Sequence, residues 1–75
     1  GDVYKRQILN ACNEILVDSF IKKKISYNSI YHSIRSVFKD RDFNKYAVKK
    51  TPNINDIYKI DKWARNKTNE IINKN

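Results

Sequence analysis

Seventy-five residues allow one small domain at most, with a core that supplies no more than roughly 3–5 kcal/mol unless something staples it. One cysteine, Cys12, excludes an intramolecular disulfide, and one histidine, His32, excludes a zinc cluster. The formal charge of +8 raises the question of a nucleic-acid partner, since Lys and Arg dominate phosphate binding.

In chain order, the first segment stands apart. Asp2-Val3-Tyr4-Lys5-Arg6-Gln7 resembles the in-frame translation of a transposon end used to prepare DNA sequencing libraries. Residues 1–7 are therefore expected to be an adaptor artefact outside the fold, with the domain proper running over 8–75. Ile8, Cys12, Ile15, Leu16 and Phe20 then recur every three or four residues, which predicts a helix from about Asn10, its N-cap, to Lys23. The Lys22-Lys23-Lys24 run falls at its C-terminal end, where cations complement the helix dipole.

After the connector Lys24-Ile25-Ser26-Tyr27, either Ser26 or Asn28 can cap a second helix with Ile30, Ile34, Val37 and Phe38 as its apolar stripe. Asp40-Arg41-Asp42 ends that periodicity. Residues 43–51 read equally as a loop or a short helical turn. Pro52 disfavours helix at Thr51, and Asn53 with Asp56 three residues on forms a capping-box-like start. Ile57, Ile60, Ala64, Thr68 and Ile71 then share a face, with Trp63 and Ile72 beside it, which predicts a third helix over 54–73. Asp61 and Arg65 suit an i,i+4 pair. The fold class is all-α, a small three- to four-helix bundle. Phe20, Ile34, Val37, Ile57, Ile60 and Ala64 are expected as its common interior.

The residues offer no chemistry. Cys12 and His32 are the one conceivable nucleophile–base pair, and the pattern puts them on different helices, Cys12 in an apolar stripe and His32 facing solvent. Asp18, Asp40, Asp42, Asp56, Asp61 and Glu70 lack metal-ligand spacing. The single glycine, Gly1, precludes a Gly-rich phosphate loop. Trp63 with Tyr58 fits core packing better than base stacking. The basic residues are spread from Lys5 to Lys74 rather than gathered on one arm, which favours a solvated surface over a nucleic-acid site. No apolar run approaches the roughly 20 residues of a membrane span. Catalytic, cofactor-binding and metal residues are expected to number none.

Three blocks carry a family resemblance. Leu9-Asn10-Ala11-Cys12-Asn13-Glu14-Ile15, continuing through Val17 to Phe20, is similar to the block that opens the C-terminal domain of the 1-deoxy-D-xylulose 5-phosphate reductoisomerases, with Cys12 in place of an alanine. Lys24-Ile25-Ser26-Tyr27-Asn28-Ser29-Ile30 resembles the next segment of that family, Ser29 replacing an aspartate. Asn53 to Asp61 followed by Trp63-Ala64-Arg65 resembles its last helix, and the stretch 39–50 is longer and less similar.

The resemblance implies a parent enzyme that isomerises and reduces 1-deoxy-D-xylulose 5-phosphate to 2-C-methyl-D-erythritol 4-phosphate, with NADPH and Mg or Mn. It implies that all residues for those cofactors precede this chain, so none is carried over; Glu14 is not among the family's metal ligands. The expected partners are the catalytic domain of the same polypeptide and a second subunit, without nucleic acid or membrane, in a bacterial cytoplasm or a plastid. A freestanding basic helical module binding nucleic acid or an acidic partner is the alternative.

Overall fold

A computed structural model describes residues 2–47 and 53–74. The order is α1 (Asp2–Ile21), α2 (Tyr27–Phe38), α3 (Phe43–Ala47) and α4 (Ile54–Lys74), with no strand among the described residues. α1 touches every other helix, and α2 also packs on α4. Tyr4 meets Asn53, Gln7 meets Asp61 and Cys12 meets Thr68, so the two long helices run in the same direction. α2 doubles back from the end of α1.

Each boundary has a local cause. α1 ends in a Schellman arrangement: the Lys24 amide donates to the Ser19 carbonyl at 2.8 Å and the Lys23 amide to Phe20 at 2.9 Å. Lys23 takes the left-handed conformation this requires, φ 61°, where glycine is the usual residue. Ser26 caps α2, its hydroxyl accepting from the Ser29 amide at 3.3 Å and lying 3.0 Å from the Ser29 hydroxyl. At this first-turn position Ser29 thus closes a hydroxyl pair with its cap. Asp40 turns the chain after α2 by accepting from the Asp42 amide at 2.9 Å. Asn53 caps α4 through the Asp56 amide at 2.9 Å, as the spacing predicted.

The buried apolar residues are Tyr4, Ile8, Ala11, Cys12, Leu16, Val37, Phe43, Ala47, Ile60 and Ala64. Fully burying a residue such as Ile8, Leu16 or Ile60 stabilises by about 1.5–3 kcal/mol. Val37, Ile60 and Ala64 lie in the interior as expected, and Ile34 and Ile57 pack against it half-buried. The part of the 43–51 stretch that is described, 43–47, is helical. It brings Phe43 onto Phe38, ring centroids 4.6 Å apart. The rest of that stretch, 48–51, and Pro52 after it lie outside the described residues.

Three expectations need correction. Asn10 is no N-cap: it sits inside α1, because Tyr4 and Ile8 extend the inner stripe by two turns. Residues 2–7 do not stand outside the fold, since Tyr4 is 1 % exposed and belongs to the core. Phe20 is not interior; it is 39 % exposed. At 3.6 residues per turn Phe20 lies about 120° around α1 from Ile8, while Ser19 lies about 20° from it. Ser19 accordingly takes the buried position.

Candidate functional site

Glu14 of the first family-like block and Asp61 of the last converge on Arg65. From α4, Arg65 Nε donates to Asp61 Oδ2 at 2.8 Å, one turn earlier on the same helix. Its Nη2 reaches across to Glu14 Oε2 of α1 at 2.9 Å. Gln7 Nε2 completes the set by donating to Asp61 Oδ1 at 2.8 Å. The hydrogen bonds to Asp61 and then Glu14 outweigh partial desolvation and hold the guanidinium above its already high ordinary range. A groove of about 530 Å³ runs beside this clamp, bordered by Ile54, Ile57, Tyr58 and Arg65 among others. Asp61, the carboxylate at its edge, is engaged by both Arg65 and Gln7, and the onward bridge from Arg65 to Glu14 fixes the register of α1 on α4.

A second pair ties the turn after α2 to α4. Lys67 Nζ lies 3.1 Å from Asp40 Oδ2 and 3.6 Å from Glu70, with Lys67 and Asp40 largely shielded. Partial burial pushes the Asp40 carboxyl up, but the Asp42 amide and the Lys67 ammonium together outweigh it and hold it below the usual aspartate range. The Asp40 hydrogen bond, against desolvation, in turn raises Lys67.

The cysteine and histidine weighed as a nucleophile pair do not share a site. Cys12 is fully buried, while His32 is exposed and meets Tyr31 edge-on, ring centroids 5.7 Å apart. Burial pushes the Cys12 thiol up, only partly offset by the Thr68 hydroxyl and its own backbone. That hydroxyl shares its proton between the Ala64 carbonyl at 2.7 Å and Cys12 Sγ at 3.2 Å. A thiol raised in this way is the opposite of an activated nucleophile.

Trp63 stacks on Tyr46 of α3, centroids 5.0 Å apart and planes 16° from parallel, while Tyr58 is exposed. The Trp63–Tyr46 pairing was not legible, because nothing in the sequence fixes how 43–47 folds back. Among the described residues no group of three or more His, Cys, Asp or Glu could hold a metal ion, and no helix is long and apolar enough to cross a membrane.

Comparison with known proteins adds the wider frame. The family model described as DXP reductoisomerase C-terminal domain matches residues 2–67. The chain is 40 % identical over 67 residues to the 1-deoxy-D-xylulose 5-phosphate reductoisomerase of Prochlorococcus marinus (strain MIT 9515), covering 89 % of this chain and 16 % of that protein. It is 37 % identical over 65 residues to the reductoisomerase of Acetivibrio thermocellus, covering 87 % of this chain and 16 % of that protein. For the reductoisomerase of Proteus mirabilis the identity is 35 % over 65 residues, covering 87 % and 15 %. The chain thus spans only 15–16 % of the length of these relatives. No solved structure matches it.

Proposed function

Because the chain belongs to the DXP reductoisomerase C-terminal domain family, we propose that it is the helical C-terminal domain of a 1-deoxy-D-xylulose 5-phosphate reductoisomerase and catalyses nothing alone. The family match over residues 2–67 carries this reading. The structure supports it in a particular way: Glu14 of the first family-like block and Asp61 and Arg65 of the last are spent on one another. A motif whose charged members pair internally serves packing.

On this reading the parent enzyme converts 1-deoxy-D-xylulose 5-phosphate to 2-C-methyl-D-erythritol 4-phosphate in non-mevalonate isoprenoid biosynthesis. NADPH and Mg or Mn would be held by parts of the parent enzyme outside this chain. The partners are the catalytic domain of the same polypeptide and, in the parent enzyme, a second subunit. Its place is a bacterial cytoplasm or a plastid. Residues 1–7 are read as adaptor-derived, so the natural protein would present other side chains where Gln7 and Tyr4 now pack.

The locus itself tests both statements. Resequenced from a library made without transposon ends, it should continue upstream in frame into a Rossmann dinucleotide-binding segment, with the codons for Asp2 to Gln7 replaced. An isolated reading frame of this length would favour the freestanding basic module instead.

A further inference from the structure

Toward its C-terminal end α1 carries apolar side chains on its outer side as well as its inner one. Its inner stripe of Tyr4, Ile8, Ala11, Cys12 and Leu16 is buried in the bundle. Its outer side carries Leu9, Val17, Phe20 and Ile21 within about a third of the circumference at 3.6 residues per turn; Arg6, Asn10 and Asn13 share that arc, so its continuous apolar part is Val17, Phe20 and Ile21. The outer stripe continues onto α2. Phe20 meets Tyr27 edge-on, centroids 5.8 Å apart. Ile21 is 70 % exposed, Tyr27 72 % and Tyr31 62 %. Large apolar residues scattered singly on a surface require no explanation, but a contiguous set marks an interaction face.

Charge narrows the partner. Lys22 is paired with Asp18 at 2.9 Å. No carboxylate lies within ion-pair distance of Lys23 or Lys24, beside Ile21, among the described residues. The surface that fits is therefore apolar at its centre and acidic at its edge. The relatives hold most of their length outside the region this chain matches, which covers 16 % of the Prochlorococcus protein, so the rest of one polypeptide is the partner nearest at hand.

We propose that Val17, Phe20 and Ile21 of α1, with Tyr27 and Tyr31 of α2, form the face on which the rest of the parent polypeptide seats, its carboxylates opposite Lys23 and Lys24. This rests on the reading of the chain as one domain of a longer enzyme, and it assigns the side by which that domain is held. The Ile54–Tyr58 surface of α4 is the weaker alternative, because Gln7, Asp61, Lys62 and Arg65 border its groove.

The test is thiol labelling of single variants in two forms, the 75-residue chain and the full polypeptide encoded by the resequenced locus. Cys12 is buried and serves as an unreactive background. Ile21→Cys should label freely in the short chain and at least about tenfold more slowly in the full polypeptide, as buried sites require an opening step to react. Asn69→Cys, on the exposed polar side of α4, should label alike in both. Adding Lys23→Glu and Lys24→Glu should restore much of the labelling at Ile21→Cys in the full polypeptide. Equal rates for Ile21→Cys in the two forms would overturn the assignment, and Tyr27→Cys repeats the measurement if that variant does not fold.

Reductoisomerase turnover recorded on the same samples separates the two claims. An active polypeptide with an unprotected thiol removes this face but keeps the function. A protected thiol in an inactive polypeptide does the reverse.

Discussion

The backbone amide of Asn53 donates to Tyr4 Oη at 3.2 Å, joining the first turn of α1 to the N-cap of α4. The amide so engaged belongs to the residue whose side chain caps α4. The Tyr4 ring meanwhile fills the core. Tyr4→Phe should cost about 1 kcal/mol, the net value of one hydrogen bond. Tyr4→Ala, or removal of residues 1–7, should cost about 3–5 kcal/mol, the usual loss for a large buried aromatic, which equals the whole stability of so small a domain. Chemical denaturation followed by circular dichroism distinguishes the two; a truncated chain as stable as the parent would show that Tyr4 contributes no packing.

Lys23 is left-handed, at φ 61°. A residue with a Cβ carries a steric cost of about 1–2 kcal/mol in that region, which glycine avoids. Lys23→Gly should therefore raise the denaturation midpoint by the equivalent of about 1 kcal/mol, even though it removes a charge that favours the helix end. A lowered midpoint would mean that the charge outweighs the backbone.

The Asp40–Lys67 pair gives the stability a pH signature. The Asp40 carboxyl is held below its ordinary range, so the unfolded chain takes up its proton first. The stabilisation is present above about pH 4 and is lost as pH falls further, through the lowered folded-state value. Lys67 is raised, so its share is whole below about pH 10.5 and fades as pH climbs beyond. Asp40→Asn should cost about 1–2 kcal/mol at neutral pH, between an exposed and a buried pair. The gap to the parent should close at both extremes. A gap independent of pH would assign the loss to packing around the turn.

Leu16 and Phe20 separate the inner face of α1 from the outer. Leu16→Ala should cost about 2–5 kcal/mol. Phe20→Ala in the isolated chain should cost less than that, since Phe20 stays 39 % exposed where Leu16 is fully buried. Thermal melts of the two variants rank them directly, and a Phe20→Ala loss as large as that of Leu16→Ala would return Phe20 to the core.

These residues also show what the sequence could and could not reveal. The caps at Ser26 and Asn53, the stripe Ile57–Ile60–Ala64–Thr68 and the Asp61–Arg65 pair were readable, because each is set within one or two helical turns. The inward turn of Ser19 in place of Phe20 was not, because an i,i+4 row drifts around the helix and the three steps from Ile8 to Phe20 are enough to lose it. The Arg65–Glu14 bridge spans 51 positions, and no local pattern announces such a contact. Tyr4 was set aside on the resemblance of its segment to an adaptor, although its spacing from Ile8 already continued the apolar stripe.

NADPH oxidation in the presence of 1-deoxy-D-xylulose 5-phosphate and Mn or Mg decides whether this chain is one domain of a reductoisomerase. It should be measured in parallel on the 75-residue chain and on the full polypeptide encoded by the resequenced locus. The full polypeptide should turn over, and the short chain should stay at the blank even at high concentration. Turnover by the short chain, or a folded full polypeptide that consumes no NADPH with this substrate, would contradict that assignment.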